Sequence, residues 1–223
     1  MNTPEEKIEY IGRRFLPTEI LIRPGYPVDN DGTPHAQPLF YMDRSLVINR
    51  LNEAVGHHGW SDAYTEVGRG IVCRLSINLG DQKEERWYSK EDGAGESDIE
   101  GEKGAYSGAL KRAANKWGMG MYLYTEFKSK EYLPAYHVGN SVRFTNESID
   151  YCREVLWNDW HLAHAPGAKA LSHLILSTNS ESECDDAIKS NRDAFAQLKN
   201  HEAAYGAIKK MVKQHKESMK GNQ

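Results

Sequence analysis

The chain has 223 residues, of which 39% are hydrophobic and 27% charged, and its formal net charge is −4. This length suits one medium domain with an appendage or two small domains. The slightly acidic charge does not favour a nucleic-acid-binding surface over the whole protein, but it permits a local basic groove. The three cysteines, Cys73, Cys152 and Cys184, are odd in number and far apart, which is typical of a reducing cytosol and not of a disulfide scaffold.

The sequence lacks the patterns that are typical of zinc-binding, membrane-spanning and secreted proteins. No Cys-x-x-Cys pair is present, so we expect no structural zinc site. We also expect no cofactor. No run of about 18 apolar residues occurs, so we expect no membrane-spanning segment. The N-terminal segment MNTPEEKIEYIGRRF lacks the apolar core of a signal peptide. Together these features predict a cytoplasmic protein.

The first forty residues predict one helix and two short strands. Thr3 before a proline is typical of a helix N-cap, and the helix should run to about Phe15. A strand is predicted from Glu19 to Arg23. The segment Pro24–Pro38 contains several Pro, Gly and Asn/Asp turn signals, so we expect a loop. Leu39–Met42 is predicted as a short returning strand.

A second helix is predicted from about Arg44 to Val55, capped by Asp43 and ended by Gly56. His57 and His58 follow in a turn. Adjacent histidines suggest a metal site, but neighbouring turn positions point apart and no third ligand is close in sequence. A surface turn is therefore the preferred interpretation. The expected buried residues of the helix are Val47, Ile48, Leu51 and Val55.

Three strands are predicted next, over Asp62–Val67, Gly70–Leu79 and Glu85–Ser89. The middle run alternates well, with Arg74 among the residues of the more polar face, so this strand should be buried on one side only. A long helix follows. The pattern predicts an α+β fold, in which an antiparallel β meander packs against that helix, with a C-terminal helical appendage.

The long helix is predicted from about Glu100 to Trp117, with Gly118 and Gly120 stopping it. Lys111 lies nearly opposite its apolar stripe, Arg112 about a quarter turn away, and Lys103 two turns earlier. A Lys-Arg pair on a helix is most often plain solvated surface. Met121–Tyr124 should be a short strand or extended exit. The apolar stripe consists of Tyr106, Leu110, Ala113 and Trp117.

The acidic segment Lys90–Glu102 suggests one alternative, a metal-dependent nuclease, because Mg²⁺ prefers carboxylate oxygens. A common nuclease arrangement places an acidic residue two positions before a lysine. Gly101 stands two positions before Lys103, so that pattern fails. The other interpretation is a flexible connector whose acidic residues lie at a helix N-terminus, where the helix dipole favours them.

The composition changes after Tyr124. Thr125–Phe144 is predicted as a linker with at most one strand. The last helix carries Lys209, Lys210, Lys213, Lys216 and Lys220, and it could pack, contact a partner or hold nucleic acid electrostatically. The predicted C-terminal helices are Glu147–Trp160, Ala170–Leu176, Ser182–Lys199 and Glu202–Lys220.

Two stretches resemble a known family. The segment GAYSGALKRAANKWGMGMYLY is similar to the signature helix of the Rad52-type single-strand annealing proteins, in the bacterial and phage branch that includes the DdrA-like proteins. The segment YMDRSLVINRLNEAVGHHGW resembles the earlier family helix and turn. The resemblance covers roughly Phe15–Tyr124. It implies a DNA-binding and oligomerisation core over residues 1–135 and leaves the role of a helical region over 145–223 open.

The resemblance implies ATP-independent binding of single-stranded DNA and annealing of complementary strands in recombination and break repair. It also implies homo-oligomeric rings or filaments, a bacterial or phage-infected host, and no enzymatic activity. A single-strand-binding protein is a candidate further partner. The chain contains no G-x-x-x-x-G-K-[ST] phosphate loop, which argues against a RecA-like ATPase. The remaining alternatives are the nuclease and a non-catalytic recombination adaptor.

The resemblance also implies DNA-binding residues. Lys111 and Arg112 match the basic pair that lines the family's DNA groove, and Lys103 matches an earlier basic position. Leu46 occupies the position of a basic residue in the first family helix. The resemblance leaves open whether Arg44 takes over the role of that residue. The full set of predicted DNA-binding residues is Lys111, Arg112, Lys103, Arg44, His57, Lys116 and Arg74.

Overall fold

The computed structural model describes residues 1, 3–30, 32–81, 84–95, 101–127 and 131–220, without the side chains of residues 30 and 101–103. The chain divides into two compact units, Met1–Ile149 and Asp150–Gln223. All strands of the described residues lie in the first unit. The assignment of DNA binding and oligomerisation to residues 1–135, with a helical region of open role over 145–223, stays a prediction.

The first helix, α1 (Pro4–Gly12), begins with a capping box, which confirms the predicted N-cap. Thr3 Oγ1 accepts a hydrogen bond from the Glu6 N–H over 3.1 Å, and the Glu6 carboxylate accepts one from the Thr3 N–H over 3.3 Å. The helix ends at Gly12, before Phe15. Ile11 and Phe15 are buried as expected.

The predicted loop Pro24–Pro38 is wrong. In its place, β1 (Leu21–Asn30) and β2 (Thr33–Tyr41) form an antiparallel hairpin. Pro24 lies opposite Pro38, and the register shifts between Pro24 and Pro27. The prolines of β1 are tolerated because β1 is an edge strand with an irregular register between Pro24 and Pro27. Pro38 lies beyond His35 and Ala36, the residues of β2 that pair with β6.

The predicted linker after Tyr124 is also wrong, because it contains two strands, β6 (Leu133–Val138) and β7 (Ser141–Phe144). They extend the hairpin into a four-stranded sheet of order β1-β2-β6-β7. Ala36, Ala135 and Phe144 form the buried centre of this layer. The pairing of β2 with β6 joins residues a hundred positions apart, which local composition does not reveal.

The predicted meander and its helix cover are confirmed. The second helix is α2 (Arg44–Val55), followed by β3 (Trp60–Val67), β4 (Gly70–Asn78) and β5 (Trp87–Gly95), which pair antiparallel in sequence order. The long helix α3 (Gly101–Lys116) packs on β4 and β5. The fold class of this unit is therefore α+β, as predicted.

The end of the meander differs from the prediction, which stopped the last strand at Ser89 and began a connector at Lys90. Residues Lys90–Gly95 continue β5 and pair with Gly70–Leu75 of β4. Gly93 and Gly95 disguise this strand in the sequence, since glycine is uncommon in strands. Asp92, which belongs to the acidic segment predicted as a connector, is therefore part of the sheet.

The helix-facing side of the meander forms the core of the first unit. Cys73, Leu75 and Ile77 of β4 are fully buried, as are Leu110 and Ala113 of α3. The predicted apolar stripe is confirmed, with Trp117 at 5% exposure. Its first member, Tyr106, is half-buried, and its ring centroid lies 5.0 Å from that of Tyr64. This packing fixes the rotation of α3 about its axis.

Gly118 and Gly120 end α3 with φ angles of 88° and 66°. The extended exit predicted for Met121–Tyr124 is wrong, because the chain enters a short helix, α4 (Tyr122–Thr125). The Tyr122 hydroxyl accepts a hydrogen bond from the Phe15 N–H over 3.2 Å, so the turn after α3 is tied to the chain after α1.

The second unit is helical, as predicted, with a core that includes Leu171, Leu198 and Ile208. The predicted helix Ser182–Lys199 is divided at Asn191, whose φ of −115° and ψ of 30° interrupt it. No helix among the described residues has the length and apolarity needed to cross a membrane. The helices are α5 (Asn146–His164, which begins in the first unit), α6 (Ala168–Leu176), α7 (Glu181–Ser190), α8 (Arg192–Leu198) and α9 (Glu202–Lys220).

Candidate nucleic-acid interface

Three cations, Lys111, Arg112 and Lys116, lie on the side of α3 that is not buried, and we call them the α3 basic edge. Arg112 and Lys116 keep 63% and 50% of their side-chain surface exposed. Lys111 is half-buried. Because the opposite side of α3 is fixed in the core, the three charges are held on a rigid support.

Asp92 of β5 partly neutralises this edge. Arg112 Nε donates to Asp92 Oδ1 over 3.3 Å, and Lys116 Nζ lies 3.7 Å from Asp92 Oδ2. Burial works to raise the pKa of Asp92, but the Gly93 N–H and Arg112 together hold that pKa below its ordinary value. The carboxylate is therefore ionised at neutral pH. An anion that bound Arg112 or Lys116 would compete with it.

The C-terminal end of α3 is also fastened to β5 through lysines. Lys116 Nζ donates to the Glu91 carbonyl oxygen over 2.5 Å, and Lys90 Nζ donates to the Lys116 carbonyl oxygen over 2.6 Å. The Lys90 ammonium also lies 4.7 Å from the Trp117 ring centroid. These contacts satisfy a carbonyl that the helix end leaves without an intrahelical partner.

Lys111 points to a different neighbour, the junction of β2 and α2. Its Nζ lies 5.7 Å from the ring centroid of Tyr41, the last residue of β2. The Ser45 backbone N–H is the main cause that lowers the pKa of Asp43, and the charge of Lys111 lowers that pKa further. The adjacent residues Lys111 and Arg112 thus lie against different elements of the first unit.

Arg23 of β1 also lies in this region, although it is not among the DNA-binding residues predicted from the sequence. Its guanidinium carbon lies 5.7 Å from the same Tyr41 ring centroid. Tyr124 of α4 is 46% exposed. Partial burial raises the pKa of Tyr124, and the charges of Arg112 and Arg23 partly oppose that rise. Only the pairing of Leu21 with Tyr41 across the hairpin brings Arg23 here.

Arg44 is exposed at the start of α2. Burial raises the pKa of Cys73 to about 11, and the charge of Arg44 is the weakest of the influences that oppose this shift. Leu46, which occupies the family's basic position, is half-buried. Arg44 therefore lies at the end of α2 that Lys111 approaches, next to Asp43.

Two predicted residues lie elsewhere. His57 is exposed in the turn after α2, about 18 Å along that helix from its first residue. Arg74 forms an ion pair with Glu91 on the face of the meander opposite α3, since its strand neighbours Cys73 and Leu75 face the helix. The side chain of Lys103 lies outside the described residues.

The acidic segment does not form a metal site within the part of the chain that is described. No group of three or more His, Cys, Asp or Glu residues there is arranged to hold an ion. Asp92 is engaged by Arg112 and Lys116. Glu96, Asp98 and Glu100 lie outside the described residues, as does the side chain of Glu102.

The lysines of α9 are largely paired within the second unit. Four of the five make ion pairs with carboxylates of the same unit. This arrangement favours a packing role for α9 over an electrostatic hold on nucleic acid. The pairs are Lys210–Glu154, Lys213–Glu217, Lys216–Asp185 and Lys220–Glu181.

Comparison with known proteins gives one match. The family model described as "Rad52/22 family double-strand break repair protein" matches residues 27–138, half of the chain. The matched segment runs from the middle of β1 to the end of β6 and includes α2, the meander, α3 and α4. No curated protein and no solved structure matches the chain.

Proposed function

The chain belongs to the Rad52/22 family of double-strand break repair proteins, and on that premise we propose that it anneals complementary single strands without ATP, as a homo-oligomeric ring or filament. Its family membership makes it a DNA repair and recombination protein. Within that role, the α3 basic edge is the proposed contact with the phosphates of a single strand.

One observation supports this proposal most directly, namely that Lys111, Arg112 and Lys116 lie on one helix whose opposite side is buried. Single-strand binders hold the backbone with Lys and Arg in a sequence-independent and salt-dependent way. A rigid helix keeps the cations in place without covering the bases. Base edges then stay available for pairing with a second strand, and annealing requires no catalytic group.

An oligomer would bind a single strand more tightly than one α3 basic edge can. The three cations of one α3 basic edge would bind a few phosphates weakly, and repetition of the same edge on neighbouring protomers would raise the overall affinity by multivalency. A net charge of −4 is compatible with this arrangement if the basic groups are concentrated along the DNA path. Asp92 would lower the affinity of each site for phosphate, so that the bound strand can still be released as a duplex.

The test is the double variant Lys111→Ala/Arg112→Ala, measured by fluorescence anisotropy with a labelled oligonucleotide over a series of salt concentrations. We expect weaker binding to every sequence and a smaller salt slope, by roughly 0.7 for each lost phosphate contact. The matched control is Lys189→Ala/Arg192→Ala, which removes the same charges from exposed positions of the second unit. If the α3 variant binds as well as wild type at physiological salt, the assignment of this site is wrong.

The annealing reaction also distinguishes the proposal from a nuclease. Complementary strands are mixed with the protein in EDTA, and in parallel with Mg²⁺ or Mn²⁺. The proposal expects duplex formation in EDTA with both strands intact. Strand cleavage that requires the metal ion would instead support an enzyme, with the acidic residues 96–102 as its first candidates for substitution.

A further inference from the structure

Four aromatic rings lie along one side of α5 in the second unit, those of Trp157, Trp160, His161 and His164, and we call them the α5 ring stripe. Trp157 stacks on His161 with ring centroids 5.6 Å apart, and Trp160 stacks on His164 at 4.1 Å. The two indoles meet edge to face at 5.9 Å. His164 Nδ1 donates to the Trp160 carbonyl oxygen over 2.7 Å, which fixes the last ring. The four rings therefore support one another as a continuous surface.

The α5 ring stripe lies away from the side that α5 packs into the protein. Cys152 and Leu156 are 0% and 3% exposed, and Trp157 lies about 140° around the helix from Cys152. Leu162 packs against the core of the second unit, and neither tryptophan is among the residues of that core. The tryptophans are half-buried and His164 is exposed. A surface patch of clustered aromatic rings is typical of an interaction site.

The charges beside the α5 ring stripe do not favour nucleic acid as its occupant. Asp150 and Glu154 lie on the same side of α5 as the rings. Asp150 is exposed and forms no ion pair within the described residues. Glu154 pairs with Lys210 of α9, so it neutralises a cation close to the stripe. Because phosphate binding requires cations that no acid compensates, a protein surface is the better fit.

The spacing of residues along α5 fits a second helix. Trp157 and Trp160 lie at the middle of a series whose members are three, four, three and four residues apart. Such a series is the pattern by which two helices pack along a common seam. The members are Asp150, Arg153, Trp157, Trp160 and His164.

We propose that the α5 ring stripe binds the same stripe of a second copy of this chain, with the two helices antiparallel. Asp150 and His164 each lie seven residues from Trp157, on opposite sides. An antiparallel pair therefore sets Asp150 of each copy beside His164 of the other, and an imidazolium ring attracts a carboxylate. A parallel pair would set Asp150 beside Asp150. The charges on the stripe thus complement each other in the antiparallel orientation alone.

The contact is symmetric, because each copy contributes the same residues. The tryptophans at its middle supply large apolar areas, and tryptophan is among the residues that most often carry the energy of an interface. This inference goes beyond the proposed function, since α5 lies outside the residues that the family model matches and the contact needs no DNA.

The first experiment is thiol crosslinking of the full-length variant Asp150→Cys/His164→Cys with a short bismaleimide. The two positions are about 21 Å apart along one helix, so a short reagent joins them only between copies. We expect covalent dimers from the double variant and none from either single variant. The native cysteines should not react, since Cys73, Cys152 and Cys184 are all buried.

The matched control is Ala203→Cys/Glu217→Cys, which places two thiols with the same spacing on exposed positions of α9. It should give no dimers above the wild-type background. Dimers from Asp150→Cys alone or from His164→Cys alone would overturn the antiparallel orientation. No dimers from the α5 double variant, or an equal yield from the α9 control, would overturn the contact itself.

The second experiment adds Trp157→Ala to the α5 double variant. We expect the dimer yield to fall by about tenfold or more at protein concentrations near the dissociation constant. Trp157→Phe keeps a ring and should retain most of the yield. Leu174→Ala removes an apolar side chain of α6 that is 38% exposed, and it should leave the yield unchanged. A yield that Trp157→Ala does not lower would overturn the role of the stripe, and circular dichroism verifies that the variants keep their helices.

Oligonucleotide binding separates this inference from the alternative occupant and from the proposed function. If the α5 double variant gives no dimers and Trp157→Ala weakens binding of a thymidine oligonucleotide but not of an abasic one, the stripe stacks on bases and this inference fails. If dimers form while Lys111→Ala/Arg112→Ala binds DNA like wild type, the proposed function fails and this inference stands.

Discussion

Arg112 and Asp92 form an ion pair across the α3–β5 contact, with Nε and Oδ1 3.3 Å apart. The pair joins the helix that carries the α3 basic edge to the edge strand of the meander. In the proposed DNA-bound state, a phosphate oxygen would compete with the Asp92 carboxylate for the Arg112 guanidinium. Substitution of Asp92 should therefore change the affinity for DNA without removing a cation.

Asp92→Asn should raise the affinity for single-stranded DNA by about two- to tenfold. The asparagine keeps an oxygen that accepts the Gly93 N–H but no longer neutralises Arg112 and Lys116. The Arg112 side chain of this ion pair is 63% exposed and that of Asp92 is 24% exposed, so loss of the pair should cost about 1 kcal/mol of stability. Fluorescence anisotropy at several salt concentrations measures the change in affinity.

The neighbouring variant Glu91→Gln is the matched control for that prediction. Glu91 pairs with Arg74 on the face of the meander away from α3. Its substitution should leave DNA affinity unchanged if the strand follows the α3 basic edge. A rise in affinity for Glu91→Gln, with none for Asp92→Asn, would move the DNA path to the face that carries Arg74.

Arg50→Ala should destabilise the first unit by about 2–4 kcal/mol. Arg50 is 8% exposed and donates from Nη1 to the carbonyl oxygens of Tyr10 and Arg13, over 3.1 and 2.7 Å. Its guanidinium also lies 4.2 Å from the Phe15 ring centroid. Truncation removes the side-chain donor of the Arg13 carbonyl and leaves the Tyr10 carbonyl with only the Arg13 N–H. It also opens a gap between α1 and α2. Urea denaturation measures the loss.

Two further variants separate charge from geometry at this position. Arg50→Lys should rescue little, because an ammonium cannot lie flat on Phe15 while it reaches two carbonyls. Arg13→Ala removes a guanidinium that is 59% exposed and should change stability by under about 0.5 kcal/mol. A similar loss for Arg13→Ala and Arg50→Ala would contradict the structural role of Arg50.

Gly118 and Gly120 should respond differently to alanine, although both have positive φ angles. A Cβ on Gly118 would meet its nearest neighbour at 3.7 Å, so Gly118→Ala should cost only the left-handed backbone conformation, about 1–2 kcal/mol. A Cβ on Gly120 would lie 2.8 Å from the Sδ of the fully buried Met42. Gly120→Ala should cost about 1–3 kcal/mol more. Equal losses in urea denaturation would show that Met42 repacks freely.

The helix α2 and the strand β4 could be predicted from the sequence because local signals define them. Asp43 and Gly56 mark the two ends of α2, and the alternation over Gly70–Asn78 shows which face of β4 is buried. The buried side of α2 was only partly foreseen. Arg50 is buried there because of α1, whose carbonyls it satisfies, and no periodic pattern predicts a buried arginine.

The hairpin of β1 and β2 was missed because its evidence is tertiary. Pro24 and Pro38 argue against strands in any local scheme, yet they face each other at a register break on an edge strand. The candidate site was only partly predicted for the same reason, because tertiary contacts bring some of its residues together. Helical periodicity showed only that Lys111 and Arg112 lie on the exposed side of α3, and the family resemblance predicted their role. Arg23 reaches Tyr41 only through the hairpin, and Tyr124 was assigned to an extended segment.

Asp43→Ala should destabilise the first unit by about 1 kcal/mol at pH 7, because Asp43 Oδ1 accepts the Ser45 N–H over 2.9 Å at the start of α2. This backbone hydrogen bond lowers the pKa of Asp43 below its ordinary value of 3.8, and the charge of Lys111 adds to the effect. A depressed folded-state pKa stabilises the protein above the ordinary value and loses that contribution as pH falls through the folded value. The stability difference between wild type and Asp43→Ala should therefore shrink at acid pH.

Asp43→Asn separates the cap from the charge, since asparagine caps helices about as well as aspartate but does not titrate. It should keep most of the stability at pH 7 and show no narrowing of its difference from Asp43→Ala at low pH. Urea denaturation of the three proteins at pH 7 and at about pH 2.5 measures both effects. A wild-type advantage over Asp43→Ala that is the same at both pH values would mean that ionisation of Asp43 contributes nothing to the stability of α2.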